Sequence, residues 1–384
     1  MSPLSCRIKT MTFAKSFAFV LCALALLFSR PLTTAAAATW EVVVSDLDNP
    51  RGLAFGPEGA LYIAQAGSGG DGPCGEGPEG VRCYGETGAI SRYDPRDGSV
   101  TDVVTGLPSL ATEAGQMFAI GPNDLSLLGR GNLFFSIGFG GDPATRDDFG
   151  PNGAQLAHLA RATPNGKWRL LTDLGTFEAE NNPTGDEEDS NPYGTLALAG
   201  KQIVADAGAN ALLEIRANGT VTPLATFADR LADAPPFLGL PPGTQIPMDA
   251  VPTSVALGPD GNYYVGQLTG FPFPVGGANI YRVPAKGGTP EIVATGFTNI
   301  VDLTFGPDGS LYVLQIAKNG LLAAFNLDDW TGALIQIAPD GTRTELIPGE
   351  LTAPGGIAVG PDGSLYVTNN SIYSDTGQVI RIRP

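Results

Sequence analysis

One eight-residue string, GPDGSLYV, occurs twice in this chain, at 306–313 and 360–367. Near-copies stand at 258–265 (GPDGNYYV) and 56–63 (GPEGALYI). Repetition constrains a fold more tightly than composition does, because each repeat is one unit that must bury its apolar face against the next. A short apolar stretch precedes each copy, at 52–55, 254–257, 301–305 and 356–359. Two degenerate copies, PNDLSLLGRGNLFFS at 122–136 and PYGTLALAGKQIVAD at 192–206, bring the units to six.

Each unit reads as strand, tight turn, strand. Proline fixes φ at the turn, aspartate bonds the neighbouring backbone, and glycine takes the left-handed position. Third and fourth strands follow, as at 333–337 with 342–347 and 279–283 with 289–295. Four strands per unit, with 52 Gly and 32 Pro breaking any long helical period, specify an all-β fold, a six-bladed β-propeller. The sixth unit is one strand short at 378–383, and a spare strand, 40–44, precedes the first. Pairing the two closes the ring and removes its open edges.

Connections in such a blade alternate between two faces. The first-to-second and third-to-fourth turns are all short and share one face. The other face receives the long segments: 66–87, 138–154, 268–278 and 316–330 within blades, and 107–120, 175–190 and 227–251 between them. Long insertions on a rigid scaffold commonly carry binding, so function is expected on this face.

The first 38 residues have the layout of a secretory signal peptide: Arg7, Lys9 and Lys15, an apolar stretch at 16–28, then Ala35–Ala38 as a small-residue cleavage site. The stretch is too short to span a bilayer, and Leu21 before Cys22 does not suit a lipoprotein. The expected organisation is therefore a leader (1–38) and one propeller domain (39–384), secreted or periplasmic, with no membrane span after processing. Removing Arg7, Lys9, Lys15 and Arg30 leaves 18 basic against 39 acidic side chains, a net charge of −21. That surface disfavours nucleic acid and suits cations or cationic partners, or serves solubility alone. Cys74 and Cys83 remain as the processed chain's cysteines, and an oxidising compartment favours a disulfide between them over two free thiols.

Three groups of residues offer polar chemistry. The acidic loop Asp186-Glu187-Glu188-Asp189, followed by Asn191, has the oxygen ligands a hard cation such as Ca²⁺ requires, or is a solvated charge run. Asn49, Asn123, Asn191 and Asn299 fall near the starts of four inner strands, with Asp124, Asp249 and Asp302 close by in sequence. They either converge on a cation or polar ligand at the axis, or cap their own turns. Asp206 with Asn210 reads as a structural clamp. Aromatic and proline-rich tips at Phe237, Phe271, Pro272, Phe273, Phe325 and Trp330 either floor an apolar pocket or pack the loops together. No catalytic residues are assigned; the single histidine, His158, sits in a strand and offers no triad base.

The repeated GPDGSLYV and the VADAGANAL segment resemble the NHL and SMP-30/gluconolactonase-like propellers. NPRGLAFGPEGALYIAQAG, the Cys74–Cys83 insertion, SNPYG at 190–194 and the terminal GGIAVGPDGSLYVTNN together resemble the ScyD/ScyE family. That resemblance covers essentially the whole processed chain. It implies an exported propeller associated with biosynthesis of scytonemin, an indole-phenol pigment. Calcium-dependent lactonases among the related propellers use a Glu/Asn/Asn/Asp set around the axis. This sequence supplies Asn and Asp but no Glu at a strand start. The expected function is thus binding of a small ligand, a cation or a protein partner on the long-loop face. The alternative is a metal-dependent, lactonase-like enzyme or one acting on a phenolic precursor.

Overall fold

The computed structural model describes residues 38–77, 80–112, 117–129, 131–163 and 165–384. The leader expected over 1–38 lies outside them except for its last residue. The repeats form the blades of a six-bladed propeller. Five consist of consecutive antiparallel strands, with the inner strands Pro50–Phe55, Pro122–Leu128, Pro192–Leu198, Pro252–Leu257 and Ile300–Phe305. The sixth orders Gly356–Val359, Leu365–Asn369 and Gly377–Arg383, and takes Thr39–Leu47 as its fourth strand. Thr39 faces Arg383 and Trp40 faces Ile382, so the N-terminal strand closes the ring.

The turn chemistry accounts for the repeat. In all four GPxG copies the last glycine has positive φ, at Gly59, Gly261, Gly309 and Gly363. Its N–H closes the turn on the first glycine's carbonyl at 2.9–3.0 Å. Asp260, Asp308 and Asp362 each accept the N–H two residues on. The strands that follow are almost wholly buried, as in Leu61–Gln65 and Leu365–Asn369. The apolar clusters that hold the ring lie between neighbouring blades. One joins Leu53, Leu61 and Ile63 of the first blade to Ala358, Tyr366 and Val379 of the sixth, with Val44 and Leu47 of the closing strand.

Several long segments carry structure of their own. The 66–87 and 107–120 segments are shortened because the outer hairpin of the first blade runs on as Arg82–Tyr93 and Val100–Thr112. The 175–190 segment contains a helix, α1 (Leu174–Asn181), and 316–330 contains α2 (Leu321–Leu327). The 227–251 segment forms a hairpin, Arg230–Asp233 with Gln245–Met248. No helix among the described residues is long and apolar enough to cross a membrane.

Cys74 and Cys83 are disulfide-bonded and lie opposite each other in a short ladder. The crosslink spans nine positions, and Gly75 beside it rests against Phe149 of the second blade's loop. Replacing both cysteines by serine is expected to cost about 2–3 kcal/mol at most, mainly by freeing the unfolded chain. Chemical denaturation of the oxidised and double-serine proteins measures the difference; a loss of the whole fold would contradict so local a role.

Candidate functional site

The inner strands converge on the axis, and in five of them the second residue faces a common cavity: Arg51, Asn123, Tyr193, Thr253 and Val301. In the third, fourth and fifth blades the residue just after the second strand also lines it: Ala207, Leu268 and Ile316. The cavity holds about 170 Å³ and opens on the long-loop side. Its outer wall is aromatic. Phe118, Phe325 on α2 and Trp330 pack with ring centroids 5.2–5.7 Å apart. The tips Phe237, Phe271 and Phe273 form a separate chain of edge contacts at 6.1–6.3 Å. Of the six tip residues singled out in the sequence, Phe325 and Trp330 line the cavity.

The asparagines divide. Asn123 Nδ2 donates to Asn191 Oδ1 at 3.2 Å, and both residues line the cavity. Asn49 and Asn299 are fully buried and tie loops. Asn49 donates to the Gly67 carbonyl and accepts from Ala119 N, while Asn299 donates to the Leu268 carbonyl and accepts from Leu321 N. The ring therefore contributes two members to the site. Asp249 is exposed on the rim and lies beside Asp229, whose carboxyl is raised by burial and by the charges of Asp249 and Asp186.

Asp124 and Asp302 stand one residue deeper, on opposite blades. Asp124 accepts Thr195 N, and Asp302 accepts Ile357 N and Leu303 N, so each ties its blade to the next or fixes its own strand. Gly52 makes room for the first of these: a Cβ there would fall 1.9 Å from Asp124 Oδ1. Burial pushes both carboxyls well above the usual range, and the charge of Asp302 pushes Asp124 further. Burial also raises the Tyr193 phenol; Arg51 opposes that shift, and Asp302 and Asp124 add to it.

The acidic loop is not assembled as a cation site. Asp186, Glu187 and Glu188 are exposed, whereas Asp189 turns inward and accepts Gly141 N at 2.7 Å. Asn191 points to Asn123 and Phe139 N. Asp206 accepts from Ser190 Oγ and Asn191 N, the clamp expected of it, and Asn210 accepts Val251 N. Among the described residues no group of three or more His, Cys, Asp or Glu side chains is placed to hold a metal ion. The axial set does not fit Ca²⁺ either, which takes six to eight oxygens. Both Asp302 oxygens already accept backbone N–H groups, and the Arg51 guanidinium lines the same opening. His158 is the first residue of its strand and is held by the Leu156 carbonyl at 2.9 Å.

Arg51 and Tyr193 went unnoticed among the candidate residues although both sit in quoted motifs, NPRG and SNPYG. Their shared offset, directly after the proline that opens an inner strand, is the signal that marks them.

No family model matches the chain, and no curated protein matches it. Solved structures do. A protein of unknown function from Bacteroides thetaiotaomicron aligns with TM-score 0.55 at 9% identity, over 90% of this chain and 76% of that one. A glucose dehydrogenase aligns with TM-score 0.53 at 15% identity, over 90% and 99%. A protein assigned as a gluconolactonase aligns with TM-score 0.51 at 13% identity, over 91% and 93%. At these identities the likeness establishes the propeller fold alone.

Proposed function

We propose that this protein is an exported binding propeller that holds a small, flat, largely apolar ligand in the axial cavity of its long-loop face. One observation carries this reading: the cavity walls are apolar and aromatic, and the polar groups are few and lie near the axis. That is the build of a small-molecule site, and its volume is below the roughly 300–1,000 Å³ typical of drug-sized ligands. The resemblance to the ScyD/ScyE family supports an aromatic ligand of the phenolic or indolic kind, met outside the cytoplasm. The disulfide suits an oxidising compartment.

A cavity-filling variant tests the reading. Ala207→Phe places a ring in the pocket, where Ala207 is 5% exposed. Titration of 2-naphthol against wild type is expected to give saturable quenching of Trp330 fluorescence, weakened at least about tenfold by the variant. Quenching that is linear, or unchanged in Ala207→Phe, counts against the pocket as a ligand site.

A second reading, catalysis on the bound ligand, is favoured by the carboxyls of Asp124 and Asp302 beneath the cavity, which hold protons above the usual carboxylate range. Calcium is not part of either reading. Millimolar CaCl₂ is expected to leave the melting temperature within about 1 °C of its value in EDTA, since a ligand stabilises only where the folded state binds it. A saturable rise of several degrees would restore a cation site.

A further inference from the structure

We propose that the ligand carries an anionic group, a carboxylate or its equivalent, received by the guanidinium of Arg51 beside the Tyr193 hydroxyl. This rests on the reading of the cavity as a ligand site.

Arg51 is 7% exposed and lines the cavity. Its Nη2 donates to the Ala119 carbonyl at 2.7 Å, while its buried Nε has no hydrogen-bond partner. Among the described residues no carboxylate lies within ion-pairing distance of it, although Arg92, Arg96, Arg146, Arg282, Arg381 and Arg383 all have one. The other deeply buried arginine, Arg82, is engaged by the Phe139 and Gly140 carbonyls away from the cavity. Burying a guanidinium without a counter-charge is strongly unfavourable, because the lost hydration is not repaid.

The acids beneath the cavity, Asp302 and Asp124, are committed elsewhere. Asp302 has both oxygens on backbone N–H groups, and Asp124 has one on Thr195 N. Burial also raises both carboxyls, which disfavours their charged forms. In a chain of −21 after processing, a buried cation facing an apolar, aromatic-walled cavity is out of keeping unless the counter-charge arrives with the ligand. Arginine's planar fork suits a planar carboxylate. The walls require that the anion be attached to an apolar body, which excludes simple inorganic anions as good occupants.

The test compares a matched pair of probes, naphthalene-2-carboxylate and 2-naphthamide, by calorimetry on wild type, Arg51→Gln and Trp330→Ala at neutral pH. The carboxylate is expected to bind wild type at least about tenfold tighter than the amide, because its bond to the guanidinium is charge-assisted. The preference should persist from 0.15 to 0.5 M NaCl, because a buried pair is poorly screened. Arg51→Gln should erase it, bringing the two probes within about threefold of each other, and Trp330→Ala should weaken both probes alike. Equal affinities in wild type, or a preference that survives in a folded Arg51→Gln, overturn the anionic assignment and leave the apolar pocket standing. Binding of neither probe overturns both readings.

Discussion

Deleting 39–47 is expected to lower the melting temperature by well over 10 °C, or to leave a protein that aggregates on purification. The segment supplies the whole fourth strand of the sixth blade, and its Val44 and Leu47 are 5% and 3% exposed. Each of those side chains contributes roughly 1.5–3 kcal/mol by burial. The ladder bonds to Gly377–Arg383 add about 0.5–1.5 kcal/mol each. The total is comparable with the roughly 5–15 kcal/mol that separates folded from unfolded domains. The exposed Arg383–Glu41 pair adds little. Thermal melts with size-exclusion chromatography decide the matter. A truncated monomer melting within a few degrees of wild type would mean that the ring is held by inter-blade packing alone.

Glu178→Gln is expected to stabilise the protein strongly at pH 9 and scarcely at pH 5. Glu178 lies on the buried side of α1, 1% exposed, and both of its carboxylate oxygens lack a hydrogen-bond partner. Burial pushes its pKa up to about 8, and the charges of Asp206, Asp189 and Glu188 add to the shift. A carboxyl whose pKa is higher folded than unfolded binds more protons in the native state. Its contribution is therefore full below the unfolded value, near 4.5, and is lost as pH rises through about 8. The loss at pH 9 is on the order of 4–5 kcal/mol. Asp302, pushed up to about 7 by burial, acts in the same sense over the lower part of that range, and the raised carboxyl of Asp124 adds to the trend, so the wild type should weaken from mildly acidic to alkaline pH. Denaturation midpoints at pH 5, 7 and 9 provide the measure. A Glu178→Gln profile parallel to the wild-type one would show that Glu178 stays charged or solvated in the native state.

The fold was legible because its turns are local chemistry. Gly261, Gly309 and Gly363 must adopt positive φ wherever GPDG closes a hairpin, so the repeat registers the blades without reference to distant contacts. The spare strand and the missing strand followed by counting. The helices were hidden for the opposite reason. α1 and α2 are eight and seven residues long and sit in segments rich in Gly, Asp and Asn, too short to show a period. The site was legible only in part. Proximity of asparagine to a strand start does not say which way the amide points: Asn123 and Asn191 turn to the cavity, and Asn49 and Asn299 turn into the loops. Arg51 was obscured because a single basic residue inside a fold-defining motif carries no pattern of its own.

The closing strand also sets an order of events in the making of the protein. Thr39 pairs with Arg383, so the strand that opens the propeller has its partner more than 300 residues further along the chain. Were those ends to meet in an otherwise unstructured chain, the loop between them would cost about 3 kcal/mol more to close than that of a ten-residue hairpin. The inner blades, each a local antiparallel meander, can form while the chain is still emerging. The ring as a whole cannot. Until 377–383 has emerged, 39–47 is an unpaired strand bearing Trp40, Val42, Val44 and Leu47, a segment for a chaperone to cover and one exposed to mispairing between nascent copies.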